Sequence, residues 1–255
     1  MKNFTIGAVD NALKILEVFL NEERELGISE LAQLSGMNVS TTHHIVSTLT
    51  SKGYLRQKHH HGPYLLGFKF LEIGNSVKSQ LHIGEVARPF LKKLNDLVDE
   101  STNLAIVDSN QAVYIEQIES SQTLRIFTKV GKRVPLHCTG VGKLFLAYMK
   151  DDQFKAFLGN QELTPSTPNT ITSIDKLKKE LSTIREHGYA LDKEEKEAGI
   201  TCIAAPIKNS ESALVAAISV SGPSSRFNDG RLKQLAPLVK NCGLEISRAL
   251  GYRGS

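Results

Sequence analysis

Ser40, Thr41, His43, His44 and Ser47 share one face of any helix that turns Thr42, Ile45, Val46 and Leu49 inward, since those four recur at helical spacing. With Thr48 and Ser51, that outer face carries hydroxyls and imidazoles of short or medium reach and no carboxylate. A merely solvated helix usually carries Glu and Lys, whereas such a face suits base edges and phosphates. The lack of acid extends beyond the helix. From Leu31 to Leu71 no Asp or Glu occurs, against Lys52, Arg56, Lys58, Lys69 and five of the eight His residues, a surface suited to a polyanion.

A second group of residues lies far downstream. Pro135-Leu136-His137-Cys138-Thr139-Gly140-Val141-Gly142-Lys143 reads as a strand end, a glycine turn and a helix start, whose opening amides make an anion site. It departs from a nucleotide-binding P-loop, because the first required Gly falls at His137 and Lys143 precedes Leu144 instead of Ser or Thr. A small carboxylate fits it better than a nucleotide. Ser219 and Ser221 alternate with Ile218 and Val220, so both hydroxyls share a sheet face that Cys202 on a neighbouring strand can join.

The elements that must hold these groups are legible from periodicity. Ala12, Leu13, Ile15, Leu16, Phe19 and Leu20 predict a first helix capped by Asp10 or Asn11. Ser29 is placed to cap a short second helix that turns Leu31, Ala32 and Leu34 inward and stops at Gly36. A third follows from a cap at Asn38 or Ser40 and ends at Gly53, which gives a helix-turn-helix whose second member enters the major groove. Tyr54–Lys58 and Tyr64–Leu66 predict a hairpin around His59-His60-His61-Gly62-Pro63, with Arg56, Lys58 and His60 placed to reach phosphates. From Leu65 to Gln80 apolar residues occupy nearly every side of a helix, which predicts a linker helix packed on its own domain and on a symmetry mate. Val86, Phe90, Leu91, Leu94 and Leu97 open the next domain. Strands are expected at 103–108, 112–118, 124–130, 201–207 and 214–221, with helices at 141–148, 151–157, 174–187 and 231–250. Strands grouped apart from helices argue for an α+β sheet domain.

Composition narrows the function classes. With 31 Lys plus Arg, 27 Asp plus Glu and 40% apolar residues the chain is of ordinary globular type. No apolar run approaches the roughly 20 residues of a membrane span, and Asp10, Asn11, Lys14 and Glu17 interrupt any leader core, so a cytoplasmic protein is expected. Cys138, Cys202 and Cys242 are odd in number and far apart, against both a disulfide framework and a metal knuckle. Three consecutive His residues do not easily face one ion, so neither a metal nor any other cofactor is expected.

The amino-terminal module resembles the winged helix-turn-helix of IclR-family transcriptional regulators. Where that family commonly has Pro-Lys-Ser-Thr and a later His-Arg pair, this chain has Asn38-Val39-Ser40-Thr41 and His43-His44. The resemblance continues through Pro135-Leu136-His137 to Gly142-Lys143, through Gly199-Ile200-Thr201-Cys202-Ile203-Ala204-Ala205-Pro206, and through Ile218-Ser219-Val220-Ser221-Gly222-Pro223. It implies a DNA-binding domain over residues 1–66, a linker helix over 67–80, and a GAF-like α+β effector-binding and oligomerisation domain over 81–255. It further implies double-stranded operator DNA as one partner, a small carboxylate or aromatic acid as effector, and a homodimer or homotetramer. The residues matching the family's effector pocket are Gly140, Val141, Asp192, Cys202, Ser219 and Ser221, with Ile126, Val134 and Ile200 as apolar wall.

Two rival readings follow from the same residues. An enzyme would use Cys202 or Cys138 as nucleophile with His137 and Asp192 as helpers, but no nucleophile elbow is present. Alternatively the front module binds protein, and the chain is a sensor domain fused to a helical docking module.

Overall fold

The computed structural model describes residues 5–22, 24–59, 62–80, 82–160 and 162–254. They form two compact units, Met1–Gln80 and Leu81–Ser255.

In the front unit α1 (Gly7–Glu22), α2 (Ile28–Ser35) and α3 (Val39–Ser51) surround a core of Ile15, Phe19, Leu26, Leu31, Val46 and Leu55. The first helix starts earlier than its expected caps, and Asp10 instead pairs with Lys14 one turn on, at 2.8 Å. Gly27, not Ser29, sits at the start of α2. Its amide donates to the Glu30 carboxylate at 2.9 Å, a carboxylate reaching back from the third helical position. Gly36 ends α2 at φ +70, and Leu34 faces solvent, not the core. Asn38 caps α3 by accepting from the Thr41 amide at 2.8 Å. Strands β1 (Leu55–Gln57) and β2 (Tyr64–Leu66) form the antiparallel hairpin, which Leu26 joins through a bridge to Tyr64. Gly67 then passes so close to the Gly53 carbonyl that a Cβ would lie 2.0 Å from it, so only glycine fits there. The helix α4 (Lys69–Gln80) follows, with Phe68 before it and Leu71, Ile73 and Val77 along it exposed.

The rear unit opens with α5 (His82–Val98), whose buried stripe is Ala87, Leu91, Leu94 and Val98; the expected member Leu97 lies outside it. Then come β3 (Ser101–Asp108), β4 (Gln111–Ile118), β5 (Arg133–Pro135), α6 (Gly140–Tyr148), α7 (Asp151–Asn160), α8 (Ile174–His187), β6 (Ala190–Lys193), β7 (Ile200–Lys208), β8 (Leu214–Pro223) and α9 (Asp229–Ala249). The strands form one antiparallel sheet in the order β5-β4-β3-β8-β7-β6. One face packs Ile203, Ile207, Ile218 and Val220 against α5 and α9. The other presents Ala105, Ala204 and Ala217, small enough for α6 to press close with Val141, Leu144 and Phe145.

Residues 124–130 are not the expected strand. Leu124, Phe127 and Val130 face solvent, and side chains supply the bonds a neighbouring strand would have made. Ser101 Oγ donates to the Ile126 carbonyl at 2.7 Å, Gln117 Nε2 donates to the same oxygen at 3.3 Å, and the Thr128 amide donates to Gln117 Oε1 at 3.1 Å. The segment is a strap pinned by side chains. Among the described residues no helix is long and apolar enough to cross a membrane.

Candidate functional site

On the front unit α3 buries Thr42 and Val46 and leaves Ser40, His43, His44 and Ser47 exposed, with Thr41 half-buried. Four of its hydroxyls are occupied by carbonyls of the helix or its cap: Thr42 donates to Asn38 at 3.0 Å, Thr48 to His44 at 3.0 Å, Thr50 to Val46 at 2.8 Å and Ser51 to Thr48 at 2.8 Å. The hydroxyls of Ser40 and Ser47 have no such bond. On the hairpin, the Arg56 guanidinium lies 4.9 Å from the Phe68 ring centroid, while its buried Nε has no partner among the described residues. Lys58 is exposed but paired with Glu25, an acid that precedes the carboxylate-free stretch. His60, also expected to reach phosphate, lies outside the described residues.

On the rear unit a cavity of about 350 Å³ is walled by residues from both halves of the sheet. Register explains the convergence. Asp192, Cys202, Ser221 and Ser101 are successive partners across β6, β7, β8 and β3, which makes one polar row on one face. The first turn of α6 lies over that row, and a Cβ on Gly140 would stand 3.3 Å from Cys202 Sγ and from Ala204 Cβ. Gly142 is tighter still, its Cβ position being 2.5 Å from the Leu136 backbone. Thr139 caps α6 by accepting from the Gly142 amide at 3.1 Å, leaving the Gly140 and Val141 amides with no acceptor inside the helix. The strap adds Arg125, Ile126, Phe127 and Thr128, and Tyr114, Lys132, Lys196 and Glu197 complete the polar wall.

Of the expected pocket residues, Gly140, Asp192, Cys202, Ser221, Ile126, Val134 and Ile200 line the cavity. Val141 and Ser219 do not. Val141 is packed into the core under α6, so only its amide belongs to the opening turn. Ser219 lies one row further along the sheet, where Asn103 Nδ2 donates to it at 3.3 Å and to Ser221 Oγ at 3.5 Å. Sequence reasoning passed over Asn103, Ser101, Tyr114 and Gln117. A signal existed for the first two, since Ser101 and Asn103 alternate on one face of a strand otherwise buried.

The electrostatics of the wall follow from burial. Desolvation raises Asp192 from 3.8 to about 6, although its Oδ1 accepts from the Glu195 amide at 2.8 Å and the Lys196 amide at 3.4 Å. Its second oxygen has no donor among the described residues. Glu195 in turn pairs with Lys143, a lysine only 1% exposed that also donates to Glu180 at 2.9 Å. Burial acts to lower Lys143, but the two carboxylates outweigh it and hold the ammonium above the usual lysine value. The lysine of the glycine turn is thus committed to fastening α6 to α8 and to the β6–β7 turn.

Burial also pushes the thiols up, Cys202 to about 12 and Cys138 to about 11, the reverse of what a nucleophilic cysteine requires. His137 and Cys138 sit in the turn before α6 rather than on a strand, with His137 Nε2 3.0 Å from the Thr164 carbonyl.

Known proteins share both units. The model of the IclR helix-turn-helix domain matches residues 8–59, and that of the bacterial transcriptional regulator IclR C-terminal domain matches residues 75–248. The HTH-type transcriptional regulator XynR of Escherichia coli is 37% identical over 97% of this chain and 98% of its own. The crystal structure of the Thermotoga maritima IclR is similar at 33% identity and a TM-score of 0.83, covering 97% of this chain and 100% of that one. An IclR homologue from Microbacterium hydrocarbonoxydans, solved in complex with 4-hydroxybenzoate, shares the fold at 23% identity and a TM-score of 0.83 over 95% of this chain and 98% of its own. With a helix-turn-helix unit in front and an α+β effector domain behind, the chain belongs to the IclR family of DNA-binding transcriptional regulators.

Proposed function

We propose that the front unit grips operator DNA through Ser40, Thr41, His43, His44 and Ser47 of α3, with Arg56 and Lys58 on flanking phosphates, and that a small acid in the rear cavity sets operator occupancy. The observation that carries the second half is the opening turn of α6, where Gly140 lines the cavity against Cys202 of the Asp192–Cys202–Ser221 row and the Gly140 and Val141 amides have no acceptor inside the helix. Helix amides favour a carboxylate, and Lys132 and Lys196 add positive charge at the wall. The carboxylate binds at α6 and the body of the acid lies against Ile126, Val134 and Ile200. Asp192 and the Ser221 hydroxyl select polar substituents, as a ring hydroxyl would be. The 4-hydroxybenzoate held by the Microbacterium homologue has this combination of groups, which supports an aromatic or small organic acid here.

The active species is a homodimer, with a tetramer as a dimer of dimers at higher concentration. Leu71, Ile73 and Val77 of α4 and Val9 and Leu13 of α1 are exposed apolar side chains on a small unit, a surface that a second copy covers. Two recognition helices then meet half-sites about 34 Å apart. In the cytoplasm, acid binding favours one of two arrangements of the dimer, and coupling of about 1–3 kcal/mol suffices to change promoter occupancy.

The test is operator affinity by fluorescence anisotropy while 4-hydroxybenzoate and a panel of short carboxylates are titrated, with Ser221→Ala alongside. An acid that changes wild-type affinity at least fivefold, and acts at higher concentration on Ser221→Ala, agrees with the proposal. Operator affinity indifferent to every acid refutes the sensing half, and failure to bind upstream DNA refutes the first.

A further inference from the structure

The rear unit has a second cavity, of about 670 Å³, which shares none of the first one's wall residues. It lies at the far ends of the same two elements. Helix α6 carries Gly140 at the first cavity and Tyr148 at the second, and β7 carries Cys202 at the first and Lys208 at the second. Its wall is aromatic and cationic: Tyr148, Tyr189 and Tyr252 with Lys208 and Lys240, closed on one side by Pro237 of α9, and without an Asp or Glu among the described residues.

The arrangement is built rather than incidental to a loose tail. Gly251 reverses the chain after α9 at φ +89, the Tyr252 amide donates to the Ser247 carbonyl at 2.9 Å, and the Tyr252 ring comes to lie beside Lys208. Lys208 Nζ stands 5.0 Å from the Tyr148 centroid and 5.6 Å from that of Tyr252, with no carboxylate partner among the described residues. Further positive charge surrounds it. Lys240 is anchored on the His187 carbonyl at 2.7 Å and Arg185 on the Ala147 carbonyl at 3.0 Å, the latter beside Tyr148. An ammonium seated against two rings has no anion of its own, and the rings offer flat faces with hydroxyl edges.

We propose that this cavity is a second binding site, for a flat aromatic anion such as an aryl phosphate or aryl carboxylate. The charge pairs with Lys208 and Lys240, and the ring lies against the tyrosines. The site goes beyond the acid pocket of the proposed function and does not depend on it. Because α6 and β7 run between the two cavities, occupancy here is placed to alter the wall of the first.

Phenyl phosphate titrated into the full-length protein tests this, with heat and tyrosine emission as readouts. The chain has no Trp, and three of its six Tyr line the cavity, so binding there perturbs the emission directly. We expect Lys208→Met to weaken binding on the order of tenfold and Lys208→Arg to retain it, and the Lys208-dependent component to persist in Ser221→Ala, any component lost there belonging to the first cavity. Should Lys208→Met melt below wild type, the exposed Lys240→Met takes its place, with a loss of several-fold expected. Binding that survives both substitutions, that Ser221→Ala abolishes, or that neutral benzyl alcohol reproduces overturns the proposal. So does the absence of heat and emission change up to about 10 mM phenyl phosphate, a range that reveals even millimolar affinity.

Discussion

Replacing Asp192 with Asn should stabilise the protein at neutral pH, because the carboxylate is ionised there at a cost. Asp192 is 5% exposed, and its value rises from an ordinary 3.8 to about 6 in the fold. The folded chain therefore holds this proton to higher pH than the unfolded chain. Stability from this group is complete below about pH 4 and is lost as pH rises through about 6. At 1.36 kcal/mol for each pH unit, the displacement amounts to about 3 kcal/mol of destabilisation above pH 7. Asparagine keeps an oxygen for the Glu195 and Lys196 amides, now at 2.8 and 3.4 Å, and removes the charge. Uncharged acceptance is weaker, so about 3 kcal/mol is the ceiling of the gain. For a unit of this size that corresponds to a Tm higher by up to about 6–12 °C at pH 8, shrinking towards zero near pH 4. Calorimetry of full-length Asp192→Asn and wild type from pH 4 to 8 measures it. Equal melting at pH 8, or a difference that widens as the pH falls, refutes the reasoning.

The other predictions concern single contacts. Lys143→Met should cost about 3–5 kcal/mol, because it strands Glu180 and Glu195 without their ammonium; denaturant unfolding reads it, and the loss should diminish in acid as Glu195, raised by burial, takes up a proton. Glu25→Gln should release Lys58, raising nonspecific DNA affinity and steepening the slope of log K against log salt by about 0.9, as anisotropy across a salt series would show. His44→Ala should lower operator affinity by about 1–3 kcal/mol and nonspecific affinity far less if the imidazole meets a base edge; an equal loss on both DNAs assigns it to a phosphate.

How much of this was legible depended on the range of the interaction. The stripe Thr42–Val46 was written in local periodicity, and so was the shared face of Ser219 and Ser221. Both needed only the geometry of one element. Residues 124–130 are rich in strand-forming residues, yet composition says nothing of what supplies the hydrogen bonds, and here Ser101 and Gln117 take that role. Asp192 was singled out by resemblance, but its short strand, β6, was not, because four residues leave too little pattern. The fate of Lys143 was hidden for another reason. Its partners lie 37 and 52 positions away, and a lysine in a glycine turn looks like an anion ligand until the fold buries it. Gly27 in place of Ser29 is a smaller case: the Glu30 carboxylate takes the Gly27 amide, and the helix begins at Ile28, ahead of the hydroxyl expected to cap it.

Charge balance around the first cavity links these particulars. Two carboxylates, Glu195 and Glu180, share the ammonium of Lys143, Asp192 lies beside them, and Glu195 Oε2 is buried without a partner among the described residues. A well-packed apolar replacement for such a cluster is often more stable, so its presence is not explained by stability. It is explained by position. The Asp192 carboxylate stands in the cavity wall while its Oδ1 is tied to the Glu195 amide, and Glu195 is tied through Lys143 to α6, whose Gly140 lines the same cavity. On the proposed reading, an acid bound at α6 would add negative charge beside Asp192 and favour its protonated form, the form that burial already favours. On that reading, the contact that holds the ligand would change the forces on α6, α8 and the β6–β7 turn together, a physical difference by which an acid would select between two arrangements of the domain.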